Sequence, residues 1–295
     1  VRRVSPTVFE SDAVRLVIRH DAGAPAGSGK DLVYFADDAL FAGMRDRGLP
    51  LDHRLKLWAA DCDAARRLAP AARAVVVSTW EVAEDLRRVL RSSVSTLHVI
   101  DPYWPEPLAD LTHFAEGGPP RVAFLGAGTH RFGAAFAAAV IRRIVAALPE
   151  TEFLLSANHR RVMAHPPPTL KFLEQTRWPD YRARIVSDRR HVALYPTPDT
   201  PHARARSANK LIEHAIIGAA PIYSETWPMA RMAAGAGGGM ALGEDPALWA
   251  ETAIALLRDR VRSRTLAEGA QRLAGRLRDV DAQRSLWRRL LRIDR

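Results

Sequence analysis

The sequence predicts an α/β protein with two Rossmann-like domains that face a cleft. Short apolar runs typical of buried strands alternate with longer segments of helical period, which indicates parallel sheets. The alternation occurs twice along the 295 residues, before and after a stretch rich in proline and glycine at positions 101–120. Since a domain usually contains about 100 to 200 residues, the length also fits two domains.

The first domain is predicted to span residues 1–108 and to be followed by a linker at 109–120. About 100 residues are fewer than a complete doubly wound domain usually needs, so this domain is expected to be short or truncated. Its predicted strands are Val14–Ile18, Asp31–Phe35, Ala74–Val77 and Thr96–Ile100. Its predicted helices are Leu51–Ala69 and Trp80–Leu90.

The second domain is predicted at residues 121–280, where the alternation begins again. Its predicted strands are Arg121–Leu125, Glu152–Leu155, Ala183–Val186, His191–Tyr195 and Pro221–Ser224. Its predicted helices run from about Gly133 to Leu148, from Ala205 to Ile217 with Gly218 as the C-terminal cap, and from Pro246 to Leu257. A glycine-rich loop is expected at Gly235–Gly239.

The net charge of +10 comes from 43 Lys and Arg against 33 Asp and Glu, which taken alone suggests a polyanionic partner. Only four of the basic residues are lysines, and this arginine-rich usage is typical of a high-GC genome. From Arg258 to Arg295 there are 12 arginines and 5 acidic residues, so most of the excess lies in the tail. No nucleic-acid-binding motif or aromatic platform accompanies it, and a nucleic-acid binder is the least favoured class.

Residues 281–295 are predicted to form an amphipathic helix that packs across the two domains. Leu286, Leu290 and Ile293 lie on one stripe, and arginines lie opposite. The alternative is that this helix lies on an anionic membrane surface. No apolar run is long enough for a transmembrane helix, and no apolar region follows the basic start. Cys62 is the only cysteine. We therefore expect a cytoplasmic protein, and peripheral contact with the inner face of the cell membrane is the open alternative.

Residues 122–130 (VAFLGAGTH) predict a strand that enters a glycine turn before a helix. Such a turn presents backbone N–H groups at a helix N-terminus and favours phosphate. The third glycine of a dinucleotide fingerprint would fall on Arg131, and no acidic residue ends the next strand, so NAD binding is disfavoured. A simple tight turn is the alternative interpretation.

The segment after the His191–Tyr195 strand contains Arg206, Lys210 and Glu213, spaced by four and three residues. On one helix these side chains share a face. Two cations near a helix start are unfavourable unless they meet an anion, and a nucleotide diphosphate would supply one. The alternative is an ordinary ion pair between Lys210 and Glu213 on a solvated face.

The order of these motifs resembles the donor-binding region of group 1 glycosyltransferases of the GT-B fold. The segments that carry the resemblance are YPTPDT at 195–200, RSANKLIE at 206–213, PIYS at 221–224, DLVYFADDALF at 31–41, VVVSTWEVAE at 75–84 and LGAGTH at 125–130. The resemblance implies a metal-independent, retaining transfer of a sugar from a nucleotide-diphosphate donor to an acceptor on the side of the first domain. It implies no further cofactor.

The resemblance also implies the roles of individual residues. Glu213 would hold the donor ribose, and Lys210 and Arg206 would bind the diphosphate and act in catalysis. His130 is the third catalytic candidate, and the remaining donor-binding candidates are Gly126, Gly128, Thr129 and Ser207. The first of two glutamates that the family commonly carries falls on Ala205, which favours a non-catalytic binding or assembly protein on the same scaffold as the alternative function.

Asp37 and Asp38 follow a predicted strand, and paired carboxylates are candidate ligands for Mg²⁺ or Mn²⁺. Adjacent residues of an extended chain point to opposite sides, so we predict a loop or helix-cap role and no metal site. His20, after the first predicted strand, is a further candidate on the acceptor side.

Overall fold

The computed structural model describes residues 1–22, 29–91, 96–126, 131–163 and 165–293. The chain divides into two compact units. Unit 1 consists of Val1–Tyr103, Thr200–Ser207 and Arg278–Arg295, and unit 2 consists of Trp104–Asp199 and Ala208–Leu277. A short segment from the second half of the chain, Thr200–Ser207, therefore belongs to the first unit.

The strands, in chain order, are β1 (Arg2–Arg3), β2 (Val8–Glu10), β3 (Val14–Ile18), β4 (Asp31–Ala36), β5 (Ala74–Val77), β6 (Leu97–Val99), β7 (Arg121–Phe124), β8 (Glu152–Ser156), β9 (Leu170–Leu173), β10 (Val192–Tyr195), β11 (Ala220–Ser224) and β12 (Met240–Leu242). They form two sheets of six strands, one in each unit.

The α-helices, in chain order, are α1 (Leu40–Arg45), α2 (Leu51–Lys56), α3 (Asp63–Leu68), α4 (Trp80–Leu90), α5 (Arg131–Ala147), α6 (Trp178–Val186), α7 (Pro201–Arg204), α8 (Asn209–Ile216), α9 (Pro228–Gly235), α10 (Pro246–Arg258), α11 (Arg260–Leu277) and α12 (Val280–Leu291). A π-helical stretch at Leu57–Cys62 joins α2 to α3, and short 3₁₀ helices lie at Thr112–Phe114 and Ala157–Val162. No helix of the described residues has the length and apolarity that a membrane span requires.

The sheet of unit 1 has the order β1-β2-β3-β4-β5-β6. β3 to β6 are parallel, and β1 and β2 add an antiparallel edge. Alternate residues of the central strands point to opposite faces, and both faces are covered, which explains why these strands are nearly continuous apolar runs. On β5, Val75 and Val77 belong to the same core as Leu86 of α4, whereas Ala74 and Val76 belong to a second core.

The C-terminal helix α12 packs on that second face of the unit 1 sheet. Leu290 and Leu291 are buried against Val14 and its neighbours on the adjacent strands. Trp287 adds an edge-to-face contact with Phe35, with ring centroids 5.9 Å apart. The apolar stripe that a membrane-bound helix would place in the bilayer therefore covers a sheet of its own chain.

The sheet of unit 2 is entirely parallel and has the order β12-β11-β10-β7-β8-β9. In chain order this is the arrangement 3-2-1-4-5-6 of a doubly wound Rossmann sheet. α5 and α10 cover one face with residues such as Ile141 and Trp249. The other face is covered by residues of α6, α8, α9 and α11, among them Ile185 and Leu211.

One predicted strand of unit 2 is wrong. Ala183–Val186 is not a strand but the end of α6, because Pro179 and Asp180 occupy the first helical turn and Ile185 is the only fully buried residue of the segment. The strand that fills this place in the sheet is β9, which has no counterpart among the predicted strands.

The predicted helix from Ala205 to Ile217 begins four residues later, at Asn209. Thr200 caps the separate short helix α7, since its side chain accepts a hydrogen bond from the Ala203 N–H, and Pro201 occupies the first position of that helix. The chain turns after α7 before α8 starts. Arg206 therefore lies outside the helix that carries Lys210 and Glu213.

Candidate functional site in unit 2

The strand order of the unit 2 sheet reverses between β7 and β10. Helices connect to opposite sides at such a position, and the carboxyl ends of the two strands then border a crevice where ligands of open α/β sheets bind. Leu125 and Gly126 follow β7 at this edge. Thr197 follows β10, and its N–H donates a 2.8 Å hydrogen bond to the Ser224 hydroxyl at the end of β11.

Lys210, in the first turn of α8, reaches this edge of the sheet. Its ammonium group donates a hydrogen bond to the Leu125 carbonyl and forms an ion pair with Oε2 of Glu213. The Glu213 side chain is 2 % exposed and the Lys210 side chain 20 % exposed. The structure thus brings together two of the predicted donor-site residues, and their pair is buried rather than on a solvated face.

The second carboxylate oxygen of Glu213 accepts a hydrogen bond from the hydroxyl of Tyr181 on α6. Burial, and then the negative charge of Glu213, raise the pKa of Tyr181 far above its ordinary value. Tyr181 therefore stays protonated and donates. Both oxygens of Glu213 are held, which fixes the orientation of the carboxylate at the edge of the crevice.

His159 approaches the glycine turn from the 3₁₀ helix after β8. Its Nε2 lies 3.1 Å from the Gly126 carbonyl, and its ring packs against Phe124 with a centroid distance of 5.0 Å. Burial lowers the pKa of His159, so the ring is neutral and donates from Nε2. A Cβ at position 126 would lie 3.0 Å from that nitrogen, which explains the glycine at this position.

Gly126 is thus in the described part of the glycine turn. Gly128, Thr129 and His130, which were predicted to lie beside the donor phosphates, fall outside the described residues.

Arg206 and Ser207 belong to unit 1. One guanidinium nitrogen of Arg206 lies 3.1 Å from Nε2 of His202. Because a guanidinium can only donate, Nε2 accepts, and the proton of the neutral ring is on Nδ1, 3.3 Å from the Ala39 carbonyl. Burial raises the pKa of Asp38, but nearby positive charge, foremost that of Arg206, outweighs this effect, and the pKa of Asp38 is lowered. The prediction that Arg206 shares a helix face with Lys210 and Glu213 is wrong.

Asp37 and Asp38 follow β4 in unit 1 and have different partners. Asp38 accepts a 3.1 Å hydrogen bond from the Ala39 N–H before α1, and its carboxylate lies 3.6 Å from Nδ1 of His202. The Asp37 carboxylate lies 3.6 Å from Arg19. Among the described residues, no group of three or more His, Cys, Asp or Glu is arranged to hold a metal ion.

Arg19 and the buried Asp61 form a second polar group in unit 1. Arg19 has a φ of 64° directly after β3, and its guanidinium donates a 2.8 Å hydrogen bond to Asp61 in the π-helical stretch. The candidate His20 lies 4.0 Å from the other oxygen of Asp61. Asp61 was not predicted; it lies on a segment that has an ordinary helical pattern, and only the fold shows that its carboxylate points inward.

Tyr181 and His159 are the functional candidates in unit 2 that sequence reasoning missed. Tyr181 lies on the segment that was predicted in part as a strand. His159 follows β8, which neighbours β7 in the sheet. Because adjacent parallel strands end at the same edge, a polar residue after β8 is the signal that could have indicated it.

No family model and no curated protein matches the sequence. Several solved structures match this chain, and the three named here each cover 90 % of it. Three of them are sucrose-phosphate synthase from Thermosynechococcus elongatus (TM-score 0.64, 16 % identity, 69 % of that chain), WaaG, a glycosyltransferase involved in lipopolysaccharide biosynthesis (0.63, 14 %, 74 %), and HepE from Anabaena in complex with UDP and glucose (0.62, 13 %, 72 %).

These similarities show the fold. Two α/β units, each with a mainly parallel sheet, are also the fold of these GT-B glycosyltransferases, which confirms the predicted fold class of two Rossmann-like domains and, at the level of the fold, the resemblance seen in the motifs.

Proposed function

We propose that this protein is a glycosyltransferase that transfers a sugar from a nucleotide-diphosphate donor. The observation that carries the proposal is the pair of Lys210 and Glu213, which is attached through Leu125 to the end of β7 where the strand order reverses. Ligands of doubly wound sheets bind at this position. The solved complex of HepE with UDP and glucose, a protein of the same fold, supports a nucleotide donor.

In this proposal Lys210 neutralises the diphosphate. Negative charge develops on that group as the bond to the sugar breaks, and a cation held in advance at this place stabilises the transition state. The hydrogen bond from Lys210 to the Leu125 carbonyl holds the ammonium group beside the glycine turn. By the motif resemblance, Gly126, Gly128, Thr129 and His130 are proposed to complete the phosphate site.

Glu213 binds the ribose hydroxyls of the donor. Each carboxylate oxygen can accept more than one hydrogen bond, so the contacts with Tyr181 and Lys210 leave capacity for two adjacent hydroxyls. The positions of the two ribose hydroxyls are defined because both carboxylate oxygens of Glu213 are already oriented. Arg206 and Ser207, which directly precede α8 in the chain, stay in the proposal as candidate donor contacts; within unit 1 Arg206 also lies beside His202 and lowers the pKa of Asp38.

The chemistry is proposed to be independent of a metal and to retain the anomeric configuration. A lysine and backbone N–H groups supply the positive charge to the leaving diphosphate, and retention follows from the family that the motifs resemble. The proposed donor is a UDP-sugar, in line with the UDP complex of HepE.

The test is a thermal-unfolding scan of the purified protein with nucleotide sugars and free nucleoside diphosphates. A ligand that binds the native state raises its apparent stability, so at least one UDP-sugar is expected to increase Tm, and Lys210→Met is expected to abolish the increase. Lys171→Met is the matched control, because Lys171 is an exposed lysine of the same unit. No stabilisation of the wild type by any nucleotide sugar or diphosphate would contradict the proposal.

A non-catalytic binding or assembly protein is the second candidate, and Ala205 favours it. Its side chain is buried in an apolar core of unit 1, and its carbonyl accepts a 3.1 Å hydrogen bond from Thr79. A glutamate cannot enter this core without leaving its charge unpaired. Release of UDP from a stabilising donor, measured over a range of sugar acceptors, separates the two: binding without any turnover favours the second candidate.

A further inference from the structure

Three aromatic residues of unit 2 pack together beside the Lys210–Glu213 pair. Trp178, the first residue of α6, stacks on Tyr181 with an interplanar angle of 15° and ring centroids 5.6 Å apart. Trp104 meets Trp178 edge-to-face at 4.9 Å. Although it contacts both rings, Trp178 is 53 % exposed. More than half of a large apolar side chain is thus presented to solvent.

The surroundings hold the Trp178 ring in place. Trp104 is buried, and its indole N–H donates a 2.8 Å hydrogen bond to Oδ1 of Asn209 at the start of α8. Arg182 of α6 forms a 3.0 Å ion pair with Glu106 near Trp104. The indole therefore requires little further ordering when a flat ligand arrives, which lowers the entropic cost of binding.

These contacts form a series that begins at Lys210. Lys210 contacts Glu213, Glu213 contacts Tyr181, and Tyr181 stacks on Trp178. A cation is followed by a hydroxyl-binding carboxylate and then by an aromatic surface. A nucleoside diphosphate presents its parts in the same order, as phosphate, ribose and base.

We propose that the exposed surface of Trp178 stacks on the base of the bound nucleotide. The inference rests on the proposed function, which assigns the diphosphate to Lys210 and the ribose to Glu213. Every base has a flat π-face, so stacking contributes affinity with little discrimination among bases. The site is therefore expected to accept UDP and GDP with similar affinity, and the sugar determines the donor preference more than the base does.

The experiment compares the affinities of UDP, GDP and inorganic pyrophosphate by calorimetry for the wild type, Trp178→Ala and Trp178→Phe. Removal of a stacking aromatic costs about 5- to 150-fold in affinity. Trp178→Ala is expected to lose at least about fivefold for both nucleotides and to keep the wild-type affinity for pyrophosphate, which has no base. Trp178→Phe is expected to keep most of the nucleotide affinity.

Trp80→Ala is the matched control, because Trp80 is also an exposed tryptophan at the start of a helix but lies in unit 1. Far-UV circular dichroism and urea unfolding establish that each variant is folded. If the wild type binds UDP and Trp178→Ala binds it equally well, the base-stacking inference is overturned while the proposed function stands. If Trp178→Ala also loses affinity for pyrophosphate, Trp178 only supports the Lys210–Glu213 pair, and the inference is overturned as well. If the wild type binds no nucleoside diphosphate, both proposals fail.

Discussion

Lys210 and Glu213 form an ion pair on α8 in which the carboxylate is almost completely buried. Such a pair contributes little net stability, because desolvation of the two charges offsets most of their attraction. The removal of one partner is costly, since it leaves the other charge buried without compensation. The pair is therefore both a proposed binding element and a condition for the stability of unit 2.

Lys210→Met is expected to lower the free energy of unfolding by about 2–3 kcal/mol, because the buried Glu213 loses its cation. The double variant with Glu213→Gln is expected to recover at least about 1 kcal/mol, since no uncompensated charge remains. Urea unfolding of both single variants and the double variant measures this coupling, and Lys171→Met is the control. Effects that add within about 0.5 kcal/mol would contradict a coupled pair.

The sequence predicted some strands and helices to the residue because their patterns are local. β5 is an uninterrupted apolar run, β3 contains one arginine among four apolar residues, and Thr79 caps α4 because its side chain accepts a hydrogen bond from the Val82 N–H. β9 and α6 were not recognised because neither has a strong apolar pattern: β9 has four residues, of which only Leu173 is buried, and α6 has only one fully buried residue.

The candidate site was predicted where its geometry is local and missed where it is not. The spacing of Lys210 and Glu213 is enough to predict that the two side chains meet. The contacts of Glu213 with Tyr181 and of Gly126 with His159 join segments more than 30 residues apart. The strand order and the packing of α6 create these contacts, so they become visible only once the neighbours of each strand in the sheet are known.

Gly218 ends α8 in the left-handed region, with a φ of 70°. A Cβ there would lie 2.8 Å from the Cβ of Ala109 and 2.9 Å from a methyl group of Leu111. Gly218→Ala is therefore expected to lower the free energy of unfolding by about 2–4 kcal/mol, through backbone strain and overpacking together.

Gly235→Ala is the control for this prediction, since Gly235 ends α9 without a positive φ and a Cβ there would meet no atom within 4 Å. It is expected to change stability by less than about 1 kcal/mol. Urea unfolding measures the stability of both variants. Equal effects would show that the close approach to Ala109 is not the reason for a glycine at position 218.

Leu290 is buried in the core that α12 forms with the unit 1 sheet. Leu290→Ala is expected to lower the free energy of unfolding by about 2–4 kcal/mol through the cavity that it leaves. Ser285→Ala, at an exposed position of the same helix, is the control and is expected to change it by less than about 0.5 kcal/mol. An unchanged stability of Leu290→Ala would contradict the packing of this side chain between α12 and the sheet.

The protonation of His191 is expected to make the stability of unit 2 depend on pH. Its Nδ1 accepts a 2.9 Å hydrogen bond from the Arg121 N–H, and its Nε2–H donates to the His113 carbonyl at 3.2 Å. Burial, with a contribution from the charge of Arg260, lowers the pKa of His191 to about 3. Protonation would place a second proton on Nδ1, where the Arg121 N–H already points.

The folded state therefore holds His191 neutral, whereas the unfolded chain protonates it near pH 6.5. Between these two pKa values the unfolded chain binds more protons, so the free energy of unfolding is expected to fall as the pH decreases from about 6.5 toward 3. Burial is the largest cause that lowers the pKa of His113, His159 and His214 as well, and the same sign applies to them.

His191→Gln is expected to flatten this pH dependence, because a glutamine side chain keeps a donor and an acceptor and does not titrate. Urea unfolding at pH 4 to 8 measures the slope, with His165→Gln at an exposed position as the control for the loss of a histidine. If His191→Gln and the wild type have the same slope, His191 is not held neutral by its two hydrogen bonds. A His191 imidazole that titrates near pH 6.5 in the folded protein, followed by NMR, would contradict the prediction directly, since burial would then carry no penalty for the charged ring.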